Sequence, residues 1–188
     1  NMIVDIGGGT TEIAVIALSG IVCDKSIKIA GDVFTSDIIN YMRSKHNLYI
    51  GDRTAEKIKI LVGSVIEDLE NPPDDMSVQG RDLMSGKPKQ VMINHSEVAK
   101  ALDKSVIRIE DAIMEALSQT PPELSADLID MGLVLTGGGA LLKNIDKLIS
   151  QDTGLPVTIA DDPLSCVAIG TGRALENEEL FSTMLSEY

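Results

Sequence analysis

Residues 3–12 read Ile3-Val4-Asp5-Ile6-Gly7-Gly8-Gly9-Thr10-Thr11-Glu12, and a second apolar run, Ile13-Ala14-Val15-Ile16-Ala17-Leu18, follows at once. Two β-branched runs around a glycine-rich break predict two strands joined by a tight turn. Glycine lets a backbone approach a ligand closely, and successive glycine N–H groups can converge on an anion. Asp5, at the mouth of this turn, would repel a phosphate unless a divalent cation lay between them. The local chemistry points to a clasp for a metal–nucleotide phosphate. A ligand-free hairpin accounts for the turn alone equally well.

The chain uses the same device again. Residues 132–142 read Gly-Leu-Val-Leu-Thr-Gly-Gly-Gly-Ala-Leu-Leu. An apolar strand, Leu133 to Leu135, runs into Thr136 and three glycines, and a helix is predicted over 140–151. A strand, glycine loop and helix in this order suit a nucleotide, through the loop amides and the helix N-terminus. Neither loop continues into Gly-Lys-Ser/Thr, and neither shows the spaced Gly-x-Gly-x-x-Gly fingerprint.

Together the two loops resemble the phosphate and adenosine motifs of the ATPase superfamily of actin, chaperones and sugar kinases. Within it the text is most similar to the MreB family of bacterial actin homologues. The similarity is carried by Asp5 to Val15, Ala30-Gly31-Asp32, Asp52 to Lys59, Gln79 to Leu83, Thr136 to Ala140 and the stretch from Asp161 to Gly172. It covers nearly the whole chain but only part of the family's pattern. The family's first phosphate loop and its main catalytic glutamate have no counterpart here. The chain therefore reads as the C-terminal half of a longer protein.

Composition sets outer bounds. The 188 residues are 44% hydrophobic but only 3% aromatic, so the expected core is aliphatic. The net charge of −13, from 29 acidic and 16 basic residues, disfavours nucleic acid and anionic lipid as direct partners. Cys23 and Cys166 make no disulfide framework and are expected as reduced, buried thiols. His46 and His95 are expected at the solvated surface, not in a metal site. No apolar run approaches the roughly 18 residues of a membrane span.

Along the chain, a third strand is expected from Gly20 to Ile29, then a helix from Gly31-Asp32 with Val33, Ile38, Ile39 and Met42 apolar. Asp52 or Thr54 should cap a second helix, with Ala55, Ile58, Leu61, Val62 and Val65 on one face. Met76 to Met84 and Lys89 to Ile93 alternate as strands. Ser96 should cap a long helix whose stripe is Val98, Ala101, Leu102, Val106, Ile109, Ile113, Ala116 and Leu117, closed by Thr120-Pro121-Pro122. A strand at 132–136, the helix at 140–151, a strand from Val157 to Ala160 and a helix from about Pro163 complete the order. The tail carries Leu175, Leu180, Phe181, Met184, Leu185 and Tyr188 at helix-like spacing. The expected fold class is α/β: a ribonuclease-H-like, actin-type ATPase lobe, βββαβαβα with a mixed sheet, from residues 1–30 plus 95–188. Residues 31–94 would form a small inserted α+β subdomain.

The resemblance implies specific roles. Asp5 would hold Mg²⁺ through water or orient the attacking water, although a strand-end aspartate capping a turn reads the same way. Gly7, Gly8, Gly9, Thr10 and Thr11 would face the β- and γ-phosphates of ATP or ADP. Glu56 and Lys59, on one helix face at i, i+3, would meet ribose and adenine; without the resemblance they read as a solvated ion pair. Gly137, Gly138 and Gly139, with Ala140 and Leu141, would lie against adenosine and the α-phosphate. Gly31 and Asp32 would approach the ribose, and Asp32 reads equally as a helix cap. The family's function is a cytoplasmic filament beneath the inner membrane that organises wall synthesis and maintains rod shape. Its partners are further copies of itself and elongation-machinery membrane proteins of the MreC, MreD and RodZ type, with membrane contact through the absent half. The parent would be a Mg-dependent ATPase, and this portion alone would be inactive. A sugar kinase or chaperone ATPase, or a non-catalytic filament scaffold, is the competing reading.

Overall fold

The computed structural model describes residues 1–17 and 20–177. Leu18 and, from the expected tail, Leu180, Phe181, Met184, Leu185 and Tyr188 lie outside the described residues; Leu175 lies within them. Buried side chains alternate with half-buried or exposed ones along β1 (Met2–Ile6) and β2 (Thr11–Ala17), and half-buried with exposed ones along the outer strand β3 (Gly20–Ile27). They pair antiparallel in sequence order. Strands β7 (Leu133–Thr136) and β8 (Val157–Ile159) add parallel to the other side of β1, giving the order β3-β2-β1-β7-β8. This is the mixed sheet expected from the sequence.

Between β3 and β7 come α1 (Gly31–His46), β4 (Leu48–Tyr49), α2 (Asp52–Val62), β5 (Met76–Asp82), β6 (Pro88–Ile93), α3 (His95–Gln119) and α4 (Pro122–Met131). Strands β4, β5 and β6 make a separate three-stranded antiparallel sheet. A 3₁₀ turn (Gly138–Leu141), α5 (Ile145–Thr153) and α6 (Cys166–Glu176) complete the chain. One aliphatic core runs from Val4, Ile6 and Leu135 through Phe34 and Ile38 to Leu102 and Ile109, and it reaches Val78 and Ile93 of the second sheet.

Several local expectations are corrected. Asn94, not Ser96, caps α3: its side chain accepts from the Glu97 amide while the Glu97 carboxylate accepts from the Asn94 amide, a reciprocal capping box. Gly51 precedes α2, so neither Asp52 nor Thr54 is the cap, and Asp32 lies inside the first turn of α1 behind Ala30. On α2 the buried stripe is Ala55, Ile58 and Val62, and Leu61 points to solvent. Helix α4 and strand β4 were not foreseen. The helix expected at 140–151 is a 3₁₀ turn followed by a later helix, because Asn144 takes a left-handed conformation that interrupts it. Cys23 and Cys166 are free but only partly buried. Neither histidine is simply solvated. His46 meets Glu97 at 2.8 Å, and His95 meets the Glu67 carbonyl at 2.9 Å.

Where α3 meets α5, the Glu110 carboxyl holds its proton more tightly than an ordinary glutamate. Burial, then a hydrogen bond with Asp152, then repulsion from Asp152, Asp111 and Asp103 push the Glu110 carboxyl up to about 7. One oxygen of Glu110 is buried without a partner. The native state thus binds this proton more tightly than the unfolded chain, where a glutamate titrates near ~4.3. The contribution is fully present below that value and is lost as pH rises toward 7. Glu110→Gln is expected to remove this slope and, at pH 8, to stabilise the chain by on the order of 1 kcal/mol after solvent screening. Urea unfolding of both proteins at pH 5 and pH 8 checks it; identical pH dependence would refute it.

Candidate functional site

Strands β1 and β7 lie side by side and parallel, with Asp5 opposite Thr136. Both glycine loops therefore leave the same edge of the sheet. Their packing is tight at two points. A Cβ on Gly137, whose φ is +80°, would sit 2.3 Å from Asp5 Oδ1 and 2.4 Å from the Ile6 carbonyl oxygen. A Cβ on Gly139 would sit 2.2 Å from Ile6 Cγ2. These two glycines are demanded by the fold itself.

Gly8 and Gly138 differ. A Cβ on Gly8 meets nothing within 4 Å, and one on Gly138 meets only Leu164 Cδ2 at 3.5 Å. Both glycines line a cavity of about 500 Å³ at the carboxyl ends of β1 and β7. Among the described residues, the amides of Gly8, Gly138 and Gly139 donate to no protein group. Unspent backbone donors beside a space that any Cβ would fill form a cradle for an anionic ligand.

The opposite wall comes from α1 and α2. The first amides of α1 would be orphan donors. Here Gly31 donates to the Gly7 carbonyl at 3.0 Å and Asp32 to the Gly8 carbonyl at 2.8 Å, latching the first glycine loop to the helix. Lys59 gives its three ammonium protons to the Gly31 carbonyl at 2.9 Å, to Thr35 Oγ1 at 3.1 Å and to Glu56 Oε2 at 2.7 Å. Thr35 Oγ1 also lies 2.9 Å from Glu56 Oε2. Burial pushes the Glu56 carboxyl up, but the hydrogen bonds from Lys59 and Thr35 outweigh it and hold the group below its ordinary value. The pair is a brace between α1 and α2, not the simple intrahelical pair that its spacing also allowed.

The structure brings nine of the anticipated residues to this one cavity: Gly7, Gly8, Gly31, Asp32, Glu56, Lys59, Gly138, Gly139 and Leu141. Gly9, Thr10, Gly137 and Ala140 belong to the two loops but do not line the cavity, and Ala140 is fully buried. Thr11 faces inward: it is fully buried and donates its hydroxyl to the Ile29 carbonyl at 2.6 Å. Asp5 is half-buried against Gly137, outside the cavity wall. Burial, then the nearby Glu12 charge, raise its carboxyl above the ordinary value. No group of three metal-ligating side chains occurs among the described residues.

Four lining residues were not anticipated: Phe34, Ile60, Leu142 and Leu164. Ile60 and Leu164 are exposed apolar side chains that line the cavity together with the similarly exposed Leu141. Ile60 had a signal in the sequence, since an isoleucine off the buried stripe of an amphipathic helix lacks a core partner.

Lys59→Met is expected to cost about 1–2 kcal/mol at neutral pH, because Glu56 loses its ion-pair partner and the Gly31 carbonyl loses one of its two side-chain donors, the Thr35 hydroxyl remaining. The depressed Glu56 carboxyl contributes stability above its unfolded value and loses it as pH falls through the folded value. The gap between the two proteins should therefore narrow below about pH 4. Urea midpoints at pH 7 and pH 3.5 test this; a constant gap would be the contrary result.

A mixed sheet with two glycine loops closing on one cavity defines an actin-like fold. The MreB/Mbl protein family model matches residues 1–183. The chain is 50% identical over 177 residues to the cell shape-determining protein Mbl of Bacillus subtilis, covering 94% of this chain and 53% of that protein. It is 49% identical over 176 residues to the cell shape-determining protein MreB of Escherichia coli, covering 94% and 50%. The chain belongs to the MreB/Mbl family, and it spans about half the length of these relatives. The crystal structure of MreB5 of Spiroplasma citri bound to AMPPNP superposes with a TM-score of 0.90 at 42% identity, over 95% of this chain and 53% of that one. The ADP-bound form of MreB5 gives a TM-score of 0.90 at 40% identity, over 98% and 55%.

Proposed function

We propose that this chain supplies one wall of the ATP site of an actin-like, filament-forming protein that determines cell shape. The observation carrying this reading is the unspent amides of Gly8, Gly138 and Gly139 along one cavity, with open space at the Cβ positions of Gly8 and Gly138. The nucleotides bound by MreB5 support it, as do the cell-shape names of the relatives. Gly7, Gly8 and Gly9 with Thr10 would hold the β- and γ-phosphates, and Gly138 and Gly139 the adenosine and α-phosphate. Glu56, Lys59 and the apolar rim of Ile60, Leu141 and Leu164 would bound ribose and base. Thr11 is spent on Ile29 and is omitted from this set.

Mg²⁺ would neutralise the phosphates, and Asp5, two residues before the first glycine of the loop, would hold it through water. With no three-ligand cluster among the described residues, the metal would take most of its oxygens from phosphate and water. Residues 31–94 would act as a subdomain riding on the sheet. The protein would organise wall synthesis beneath the inner membrane with partners of the MreC, MreD and RodZ type, reaching the membrane through its other half. No helix among the described residues is long and apolar enough to cross a membrane. The test is sedimentation and phosphate release by the full-length protein with ATP and Mg²⁺. A protein that binds no ATP under any condition refutes the site. One that binds but never sediments refutes the filament.

A further inference from the structure

Thr35, one turn into α1, sits at the centre of the brace beside the cavity. It is half-buried, and its hydroxyl oxygen lies 2.9 Å from Glu56 Oε2, 3.0 Å from the Gly31 carbonyl oxygen and 3.1 Å from Lys59 Nζ. A hydroxyl carries one hydrogen, so two acceptors share a single donor. A threonine inside a helix ordinarily donates to the carbonyl four residues back. Here that carbonyl, of Gly31, also accepts from the Lys59 ammonium at 2.9 Å. The Glu56 carboxylate is the stronger acceptor, because an ionised partner roughly doubles the strength of a hydrogen bond. The hydroxyl therefore donates to Glu56 while its lone pair accepts from Lys59.

Lys59 and Glu56 share one helix face but differ in what they leave free. The Lys59 side chain is only 14% exposed, and its three protons go to Gly31, Thr35 and Glu56. None remains for a ligand, so Lys59 offers the cavity its methylene stem. Glu56 Oε2 takes two bonds, from Lys59 at 2.7 Å and from Thr35 at 2.9 Å. Its other oxygen, Oε1, accepts from no protein group among the described residues. The Glu56 side chain is 47% exposed and lines the cavity.

Two donors on one oxygen fix the plane of the carboxylate, which leaves Oε1 as a held, ionised acceptor. Such an oxygen repels phosphate and fits a ligand group that donates, above all a hydroxyl. The apolar side chains of Ile60, Leu141 and Leu164 suit a flat base, which leaves the polar side near α1 for a hydroxylated sugar.

We propose that Thr35 is a positioning residue for sugar recognition: by binding Oε2 of Glu56 it holds Oε1 as the acceptor for a ribose hydroxyl, so that the site prefers ribonucleotides to deoxyribonucleotides. This deepens the nucleotide reading above and rests on it. The experiment titrates the full-length protein with ATP, 2′-deoxy-ATP and 3′-deoxy-ATP in the presence of Mg²⁺, by calorimetry. The unaltered protein should favour ATP over at least one deoxy analogue by about tenfold. Thr35→Val keeps the shape and removes the hydroxyl. It should weaken ATP by about three- to tenfold and leave that analogue within about twofold, so that the preference collapses. Thr35→Ser should restore it. Thr35→Ala, a better helix former, repeats the deletion should the valine variant fail to fold, and a melting curve without nucleotide reports the fold. A preference that survives both deletions overturns the proposal, and its loss in Asp32→Asn would then assign the hydroxyl to Asp32. An equal fall in affinity for ATP and both analogues also overturns it, because a purely structural role would weaken all three alike. Unaltered protein that binds ATP and both analogues equally overturns it while leaving the nucleotide site intact. Unaltered protein that binds no ATP ends both readings.

Discussion

Gly139→Ala should cost roughly 3 kcal/mol, a fall in Tm of about 10 °C for a chain of this size. Local propensity predicts the reverse, since alanine is the better former inside a helical turn. Sterics decide against it. The new methyl would lie 2.2 Å from Ile6 Cγ2 and 2.6 Å from Ile6 Cβ. Ile6 is fully buried and has nowhere to move. Relief would require parting the two loops that close the cavity. Gly8→Ala is the control: its methyl meets nothing, and it should be neutral or stabilising by up to about 1 kcal/mol. Thermal unfolding of both proteins decides the matter. Equal Tm values would show that the loops are not packed against each other.

Gly138→Val should leave stability within about 0.5 kcal/mol and yet cut ATP affinity ten- to a hundredfold in the full-length protein. At this position the fold makes no demand. The first added carbon meets only Leu164 Cδ2, at ordinary contact distance. The remaining volume projects into the cavity, where a ligand lying against the backbone would collide with it at a cost of about 1–3 kcal/mol. Titration with a fluorescent ATP analogue, beside a melting curve without nucleotide, separates the two effects. Unchanged affinity would remove Gly138 from the binding surface. An equal loss of stability would recast it as a packing residue like Gly139.

The contrast between neighbouring glycines shows how far the text could be read. Gly137, Gly138 and Gly139 are identical letters in one loop, and nothing local distinguishes them. Burial against Ile6 makes Gly139 structural, and open space makes Gly138 available. Thr11 illustrates the same limit from the other side. Its place after a glycine turn suggested a phosphate contact, but the strand pleat turns it inward to the Ile29 carbonyl. The Glu56 and Lys59 spacing correctly placed both on one helix face. It could not show that Gly31 and Thr35, from another helix, would absorb the lysine's remaining protons.

Short-range chemistry was legible throughout. Alternating β-branched residues specified β1 and β2, amphipathic spacing specified α1 and α3, and glycine runs marked both loops, because each depends on neighbours within a few residues. Helix α4 and the interrupted start of α5 escaped, since their boundaries depend on left-handed residues and packing that periodicity does not encode. The convergence of the loops belongs to tertiary structure alone. It follows from parallel pairing of β1 with β7, strands more than 120 positions apart, whose register sets Asp5 opposite Thr136. A hydrogen-bond ladder between distant segments is fixed by the collective burial of a whole sheet face, and no stretch of the chain carries that information by itself.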